Sequence, residues 1–312
     1  MRSKVKVLVC GAIPDEGIEE LKRAGFEVDV SPTISNELLI RVVSNYDALI
    51  VRSRTKVTKE IIVVGEKLKA IGRAGVGLDN IDVETAEKRG IVVLNTPEAP
   101  ADAVAELTIG LMIALARNIP LADRTMKEGK WIKKELTGWQ LKGKTLGMIG
   151  LGNIGKRVAR IAKASGMRIL ITDIIIPPPE LQRELEAEYI PSKDFSNFLQ
   201  KSDVITIHVP STPQTHHMIG TKEIQLMKDG TFLINTSRGG IVDEKALLEA
   251  LKSGKLGGAA LDVYEDEPSK DLKLTRLPNV VCTPHIGGQT LESQRTEATI
   301  LGKKLVKLLK TD

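Results

Sequence analysis

The sequence predicts an α/β protein built from two doubly wound parallel sheets. Short β-branched segments alternate with segments of helical periodicity from the start of the chain. The strand segments of this first series are VKVLVC, FEVDV, DALIVRS, residues 68–73 and IVVLN. A second series begins at Thr145 and continues to about Thr283. Because crossovers between such strands are right-handed, each series predicts a parallel sheet, and the two together predict two domains flanking a cleft.

The helical segments and the domain limits follow the same pattern. Helices are expected at residues 14–24, 37–44, 58–64 and 83–88 of the first series. A long apolar helix, about Ala101 to Arg117, comes next and is followed by a polar stretch at 127–140. The last helix, about Leu291 to Leu309, has apolar positions at helical spacing and is expected to pack back on the first domain. We therefore predict one domain of residues 1–97 plus 288–312 and another of 98–287.

Composition excludes several classes of protein. The 312 residues are 42% hydrophobic, which is typical of globular domains. The net charge of +5 arises from alternating charges, and only 3% of residues are aromatic, so nucleic acid is not an expected partner. The sequence has no export signal, and its longest apolar run is too short to span a bilayer, so a cytoplasmic location without membrane contact is expected. The basic segment KKLVKLLK is interpreted as a solvated helix face rather than a membrane-surface segment.

No metal centre or disulfide is expected. Cys10 and Cys282 lack metal-type spacing and are too few for a disulfide framework. The His216-His217 pair has no Asp, Glu or Cys at ligand spacing around it. His208 follows the strand VITI and is interpreted as a cofactor-loop or structural residue.

The most specific motif is GLGNIG, which lies between a predicted strand and a predicted helix. Gly150 would permit a tight turn, Gly152 would let the backbone approach a pyrophosphate, and Gly155 would allow close packing of helix on strand. Asn153 and Ile154 lie at the mouth of this loop. The next strand ends at Asp173, where a carboxylate can bind ribose hydroxyls and repel a 2′-phosphate. The sequence therefore predicts a Rossmann domain that binds NAD in preference to NADP.

Three ionisable residues follow later strands of the same domain. Arg238, Glu267 and His285 come after predicted strands, and the carboxyl ends of parallel strands are where α/β sheets bind ligands. A guanidinium can hold a carboxylate bidentately and polarise the neighbouring carbonyl. An imidazole can exchange a proton with an alkoxide near neutral pH, and a carboxylate can orient it and favour its charged form. Taken singly each residue is more often structural, but together they are what reversible reduction of a 2-keto acid requires.

These residues stand in motifs that resemble the D-isomer-specific 2-hydroxyacid dehydrogenases over nearly the whole chain. The motifs are VRSRTKVT, GRAGVGLDNID, GLGNIG, HVPSTPQTHHMIG, NTSRGGIVDE, ALDVYEDEP and TPHIGGQT. The resemblance implies that Arg238, Glu267 and His285 are the family's catalytic residues and that the first domain is a flavodoxin-like substrate domain. It also implies NAD contacts from a larger set: Val76, Gly150, Gly152, Asn153, Ile154, Gly155, Asp173, His208, Val209, Thr236, Ser237, Arg238, Asp262, His285, Gly287 and Gly288.

The same resemblance implies a phosphorylated substrate. Arg52, Ser53 and Arg54 would hold a phosphate, and charge-assisted hydrogen bonds from two guanidiniums suit that task, although ordinary solvated charges remain an alternative. The substrate residues implied in full are Arg52, Ser53, Arg54, Arg73, Val76, Gly77, Arg238 and His285. The expected reaction is oxidation of 3-phospho-D-glycerate to 3-phosphohydroxypyruvate, which opens serine biosynthesis.

Further expectations also come from the resemblance. Family members form homodimers through the cofactor domain and its long apolar helix. Because this sequence stops at Asp312, the regulatory C-terminal domain of many members, and serine feedback through it, are expected to be missing. Similar family members often have a residue with a hydroxyl group at the position of Val209. The resemblance therefore does not decide whether Val209 contacts the cofactor.

Two other functions remain as alternatives. A glyoxylate or hydroxypyruvate reductase would share the catalytic set but use a substrate without phosphate. An NAD-sensing binding protein, like the corepressors that resemble the same scaffold, is disfavoured because no recognition insert is apparent and the catalytic set is complete.

Overall fold

The computed structural model describes residues 4–270 and 272–310 and contains two compact units. The first unit comprises the chain up to Ala103 together with the segment from Gly288 onward, and the second runs from Val104 to Gly287. The assignment of substrate binding to the first unit and cofactor binding to the second stays a prediction.

The secondary structure alternates as the sequence predicted. The strands are β1 (Lys6–Val9), β2 (Glu27–Val30), β3 (Ala48–Val51), β4 (Ala70–Arg73), β5 (Val92–Leu94), β6 (Thr145–Ile149), β7 (Arg168–Thr172), β8 (Glu188–Tyr189), β9 (Val204–Ile207), β10 (Thr231–Asn235), β11 (Leu256–Leu261) and β12 (Val280–Cys282). The helices are α1 (Asp15–Arg23), α2 (Asn36–Val42), α3 (Lys59–Val64), α4 (Val83–Lys88), α5 (Ala101–Ala116), α6 (Ile119–Lys127), α7 (Asn153–Ala164), α8 (Pro179–Leu185), α9 (Phe195–Lys201), α10 (Thr221–Leu226), α11 (Glu244–Ser253), α12 (Leu272–Thr275) and α13 (Leu291–Lys310). Short 3-10 turns lie at Val43–Asn45, Lys133–Glu135, Ser192–Asp194 and Gly239–Ile241.

The first unit is built on a five-stranded sheet in the order β2-β1-β3-β4-β5, with every pairing parallel. This is the flavodoxin-like doubly wound order. The central strand β3 has the sequence ALIV and is buried at all four positions, as expected for a strand covered on both faces. The predicted parallel α/β fold is therefore confirmed for this unit.

The last helix, α13, belongs to the core of the first unit. Leu301, Leu305 and Leu309 repeat every four residues and are all buried. The helix also lies close to α1, because a Cβ added to Gly17 would come within 2.6 Å of the Ala298 carbonyl oxygen. The expected packing of this helix on the first domain is confirmed, and its apolar stripe faces protein.

The second unit is built on a seven-stranded sheet in the order β12-β11-β10-β9-β6-β7-β8, again parallel throughout. The chain winds outward from β6 in one direction through β7 and β8, and then in the other from β9 to β12. This is the Rossmann order extended by one strand, and the predicted fold is confirmed here as well. The order reverses at β6 and β9, so the carboxyl ends of these two strands mark the position where such sheets bind ligands.

One helix, α6, was not predicted. Asn118 has φ 53°, a left-handed conformation that ends α5, and Pro120 in the first turn of α6 suits a new helix start. Among the described residues, no single helix is both long and apolar enough to cross a membrane, and by length and composition only the pair α5 and α6, bent by 66°, meets that test.

Candidate active site

The glycine-rich loop after β6 has the conformation that its sequence requires. Gly150 has φ +93°, and a Cβ there would lie 2.9 Å from the His208 carbonyl oxygen. A Cβ on Gly155 would lie 2.4 Å from the Gly150 carbonyl oxygen, so α7 can approach the loop only with glycine. Gly152 caps α7 without a side-chain hydrogen bond, and a Cβ added to it would meet no atom within 4 Å. The space beside Gly152, at the N-terminus of this twelve-residue helix, is therefore open, which fits a bound pyrophosphate. Asn153 and Ile154 begin this helix.

Asp173 directly follows β7 and is held by the backbone. Its Oδ2 accepts a hydrogen bond of 2.7 Å from the Leu151 amide, and its Oδ1 accepts one of 2.9 Å from the Ile175 amide. The carboxylate is therefore fixed beside the glycine loop, where a ribose would lie. The three isoleucines that follow it are strongly exposed, at 90%, 73% and 70% for Ile174, Ile175 and Ile176. No cation stands among them, which fits the adenosine of NAD better than the extra phosphate of NADP.

The loops after β9 and β10 border the same position. His208 Nε2 lies 3.0 Å from the Thr206 hydroxyl, while its Nδ1 is buried and has no hydrogen-bond partner among the described residues. Burial lowers the pKa of His208 to about 3, so this ring is neutral. Thr236 exchanges a 2.9 Å hydrogen bond with Thr108 of α5, and Val209 packs against the core. The cofactor roles of His208, Val209 and Thr236 stay predictions.

Asp262 anchors the loop after β12, a structural role that the sequence analysis did not predict. It is 1% exposed, and its Oδ1 accepts hydrogen bonds from the Thr283 hydroxyl at 2.6 Å and the Ile286 amide at 2.8 Å. Its Oδ2 accepts a third, of 2.8 Å, from the Gly287 amide. These three bonds hold the loop that carries His285 onto the end of β11. Asp262 was expected to contact NAD, and that role stays a prediction.

His285 and Glu267 form a direct pair. Nδ1 of His285 lies 2.7 Å from Oε2 of Glu267, so the imidazole donates from Nδ1 and its Nε2 is the nitrogen left to exchange a proton. Both side chains are partly exposed, at 47% and 39%. The backbone of His285 has φ 53°, a conformation that non-glycine residues adopt only when their surroundings enforce it. Glu267 is thus hydrogen-bonded to the imidazole that it was predicted to orient, and the catalytic roles of both residues stay predictions.

Glu267 is ionised under ordinary conditions. Partial burial opposes its charge, but the hydrogen bond and charge of His285, the Tyr264 amide and the Arg238 guanidinium together lower its pKa below the usual value. The influence of Arg238 places the three predicted catalytic residues in one electrostatic neighbourhood of the second unit. Arg238 Nη1 also donates a 2.7 Å hydrogen bond to the Ser237 carbonyl.

The turn that presents Arg238 depends on a second residue that the sequence did not single out. Asn235, the last residue of β10, donates from Nδ2 to the Arg238 carbonyl at 2.9 Å. Its Oδ1 accepts from the amide and the hydroxyl of Ser237, at 3.1 and 2.8 Å. An asparagine followed two residues later by serine at a strand end is an Asx-turn signal that could have predicted this role.

The predicted substrate residues of the first unit follow β3 and β4. Arg52 is half-buried and donates from Nη1 to the Ala12 carbonyl at 3.2 Å, whereas Ser53 and Arg54 are exposed. Arg73 folds back over Gly75, because a Cβ on that glycine would lie 1.3 Å from the Arg73 Nη1.

The loop after Arg73 is braced by the loop after β5. Gly75 has φ +134°, and its amide donates to the Thr96 hydroxyl at 3.0 Å. Asn95 Nδ2 donates to the Val76 carbonyl at 2.6 Å, which fixes the segment that contains Val76 and Gly77. The roles of these residues toward a substrate stay predictions.

Comparison with known proteins agrees with this geometry. The parallel fold, the glycine loop and the His285–Glu267 pair define a dinucleotide-binding α/β protein equipped for proton exchange. The family model described as "D-isomer specific 2-hydroxyacid dehydrogenase, NAD binding domain" matches residues 109–287. The chain belongs to the D-isomer-specific 2-hydroxyacid dehydrogenase family, and NAD is its cofactor.

Similar proteins carry several names within this family. The D-3-phosphoglycerate dehydrogenase of Methanocaldococcus jannaschii is 48% identical over 98% of this chain and 58% of its own length. The hydroxypyruvate reductase of Thermotoga maritima is 49% identical over 89% of this chain and 90% of its own. A glyoxylate reductase structure from Paecilomyes thermophila superposes with a TM-score of 0.90 at 33% identity, covering 99% of this chain and 96% of that one. The chain thus spans just over half the length of the phosphoglycerate dehydrogenases it matches.

Proposed function

We propose that this protein catalyses NAD-dependent oxidation of a D-2-hydroxy acid at C2, with 3-phospho-D-glycerate as the substrate. The observation that carries the reaction class is the 2.7 Å contact between His285 and Glu267, with Arg238 close enough to influence the same carboxylate. The phosphorylated substrate is supported by the two guanidiniums of Arg52 and Arg54 and by the 48% identity to a named phosphoglycerate dehydrogenase.

Each catalytic side chain has one role in this proposal. NAD, when bound, supplies the acceptor for the hydride that leaves C2. His285 takes the hydroxyl proton on Nε2 during oxidation and returns it to the same oxygen during reduction. Glu267 keeps Nδ1 protonated and stabilises the positive charge that the ring gains. Arg238 holds the substrate carboxylate, because its planar fork matches two carboxylate oxygens.

The substrate is tested by following NADH absorbance with phosphoglycerate, glycerate, phosphohydroxypyruvate, hydroxypyruvate and glyoxylate in turn. We expect the highest kcat/KM for the phosphorylated pair. Arg52→Ala and Arg54→Ala are each expected to raise the KM for phosphoglycerate about tenfold or more, since each removes a charge-assisted hydrogen bond. Lys56→Ala removes an exposed cation from the same segment and serves as the control. An unchanged KM in both arginine variants would show that the phosphate binds elsewhere.

A second candidate is reduction of hydroxypyruvate or glyoxylate. It is favoured by the 49% identity to a hydroxypyruvate reductase of which the chain covers 90%. The same substrate panel separates the two functions. A reductase of this kind would prefer the unphosphorylated acids, and its KM would not change on loss of Arg52 or Arg54.

We also propose that the protein is a homodimer in the cytoplasm, where phosphorylated metabolites are found. Ile113, Ile119, Met126 and Trp131, on α5, on α6 and just beyond, are 39% to 78% exposed, which supports a protein contact at this surface.

A further inference from the structure

A buried pair of threonine hydroxyls joins helix α5 to the turn that carries Arg238. Thr108 of α5 is fully buried, and Thr236, the first residue after β10, is 7% exposed. Their Oγ1 atoms lie 2.9 Å apart, although the two residues are 128 positions apart in the sequence. The pair therefore ties a core helix of the second unit to a loop at the carboxyl end of its sheet.

A third oxygen fixes the direction of the hydrogen bonds in this pair. Thr108 Oγ1 also lies 2.7 Å from the Val104 carbonyl oxygen, one turn earlier in α5. A carbonyl oxygen carries no proton and a hydroxyl carries one, so Thr108 donates to Val104. The proton between the two threonines must then come from Thr236, and Thr108 accepts it. The hydroxyl of Thr108 is thus the acceptor that holds Thr236 in place.

Helix α5 is a firm support for this contact. Met112 of α5 and Ile234 of β10 are buried in one apolar cluster. The beginning of the helix also borders the loop that carries His285, because a Cβ on Gly287 would lie 3.2 Å from Cγ2 of Val104. One end of α5 therefore lies against the loops of two of the three residues proposed to be catalytic.

We propose that Thr108 is a positioning residue, which anchors the turn of Arg238 to α5 by accepting the Thr236 proton. The same turn is held by Asn235, whose side chain bonds to Arg238 and Ser237. Without the hydroxyl of Thr108, Thr236 loses its acceptor in α5 and the turn gains freedom. The guanidinium is then no longer fixed where the substrate carboxylate binds. This role of Thr108 rests on the proposed contact of Arg238 with the substrate.

The experiment measures kcat/KM, the pH profile of keto-acid reduction and the melting temperature in the parent protein, Thr108→Val, Thr108→Ser and Thr125→Val. The substrate is the keto acid with the highest kcat/KM in the panel described above. Valine has the shape of threonine without the hydroxyl, whereas serine keeps the hydroxyl. Thr125 of α6 is the matched control, because it is 7% exposed and its hydroxyl donates to the Leu121 carbonyl of the same helix at 2.9 Å.

Thr108→Val should lower kcat/KM about tenfold, as expected for the loss of one hydrogen bond that positions a catalytic group. Thr108→Ser should restore kcat/KM to within about twofold of the parent value. Thr125→Val should melt lower than the parent but keep its kcat/KM. The pH profile should stay in place in every variant, because none of the changes touches the pair of His285 and Glu267.

A double variant tests the contact itself. Thr236→Val alone should lower kcat/KM, and the addition of Thr108→Val should cause no further loss, because both changes remove the same hydrogen bond. Parent kcat/KM in Thr108→Val, or an additive loss in the double variant, would overturn the inference. Thr108→Ala, which also lacks the hydroxyl, replaces Thr108→Val if the valine variant does not fold.

Arg238→Lys separates this inference from the proposed function. It should lower kcat/KM about a hundredfold or more, since an ammonium cannot hold a carboxylate bidentately. That loss, together with parent kcat/KM in Thr108→Val, would reject the inference and leave the role of Arg238 intact. Parent kcat/KM in Arg238→Lys would reject the proposed role of Arg238, on which the role of Thr108 depends.

Discussion

At the scale of single residues, His285 combines a strained backbone with a well-held side chain. A left-handed φ at a non-glycine residue costs on the order of 1–3 kcal/mol. The three hydrogen bonds from its loop to the Asp262 carboxylate stabilise by about 1.5–3 kcal/mol each, so they outweigh the strain. The bond to Glu267 then sets the ring's direction.

Glu267→Gln should separate orientation of the imidazole from its charge. The amide oxygen can still accept the Nδ1 proton, but it no longer favours the protonated ring. We expect the pH at which half of the keto-acid reduction activity is lost to move down by about one unit or more. At a pH well below the shifted midpoint, kcat should recover to near the parent value. The measurement is the pH profile of kcat/KM for reduction.

The neighbouring Glu265 provides a control for that experiment, because its Oε1 lies 2.9 Å from His217 instead of His285. Glu265→Gln should leave the profile in place, and a shift of equal size there would deny Glu267 its specific role.

The lowered pKa of Glu267 also predicts how this residue affects the stability of the folded protein as the pH changes. Since the pKa of Glu267 is lowered in the folded protein, its contribution is present above the ordinary value of 4.5 and is lost as the pH falls through the folded value.

At the scale of elements, the site is made where loops leave the carboxyl ends of adjacent strands. Arg238 follows β10 in the turn that Asn235 holds, and Glu267 lies in the loop that follows β11. β12 leads into the loop of His285, which is bound back to Asp262 at the end of β11. A single buried carboxylate therefore links the two loops that carry Glu267 and His285, two of the three residues proposed to be catalytic.

Asp262→Asn is expected to loosen this link. An amide has one acceptor oxygen, so at least one of the donors from the His285 loop loses its partner, at a cost of about 2 kcal/mol. Urea unfolding should show that loss, and kcat should fall at least tenfold because the imidazole is no longer fixed. Asp266→Asn, at an exposed carboxylate nearby, should change neither quantity. Full activity in Asp262→Asn would mean that the loop is held by other contacts.

The helices, strands and loops differ in how well they could be predicted from the sequence. Strand and helix periodicity located both sheets, and the glycine spacing located the loop before α7, because these features depend on local rules. The helix α6 was missed, since its separation from α5 depends on one left-handed residue, Asn118, in an otherwise continuous helical pattern. The anchoring role of Asp262 was also missed, because its partners lie more than twenty residues along the chain.

At the scale of the whole molecule, each unit has its own parallel sheet with apolar cores on both faces. The first unit has one cluster around Leu49 and Ile61 and another around Ile50 and Leu305. The second has clusters around Ile205 and Leu233 and around Met148 and Val158. A ligand that binds only folded protein stabilises it in proportion to the logarithm of its concentration, so cofactor choice can be read from unfolding without any turnover.

NAD and NADP should differ in how strongly they stabilise the folded chain. At a hundredfold excess over its Kd, NAD should stabilise the chain by about 2.7 kcal/mol, whereas NADP at the same concentration should stabilise it less. The reason is Asp173, whose carboxylate is fixed by the Leu151 and Ile175 amides and would repel a 2′-phosphate. Asp173→Asn keeps the side-chain shape and removes the charge, so the gap between the two cofactors should narrow in thermal or urea unfolding. The exposed Asp194→Asn should leave the gap unchanged. Stronger stabilisation of the parent protein by NADP than by NAD would remove Asp173 from its proposed role, while leaving the assignment of His285, Glu267 and Arg238 untouched.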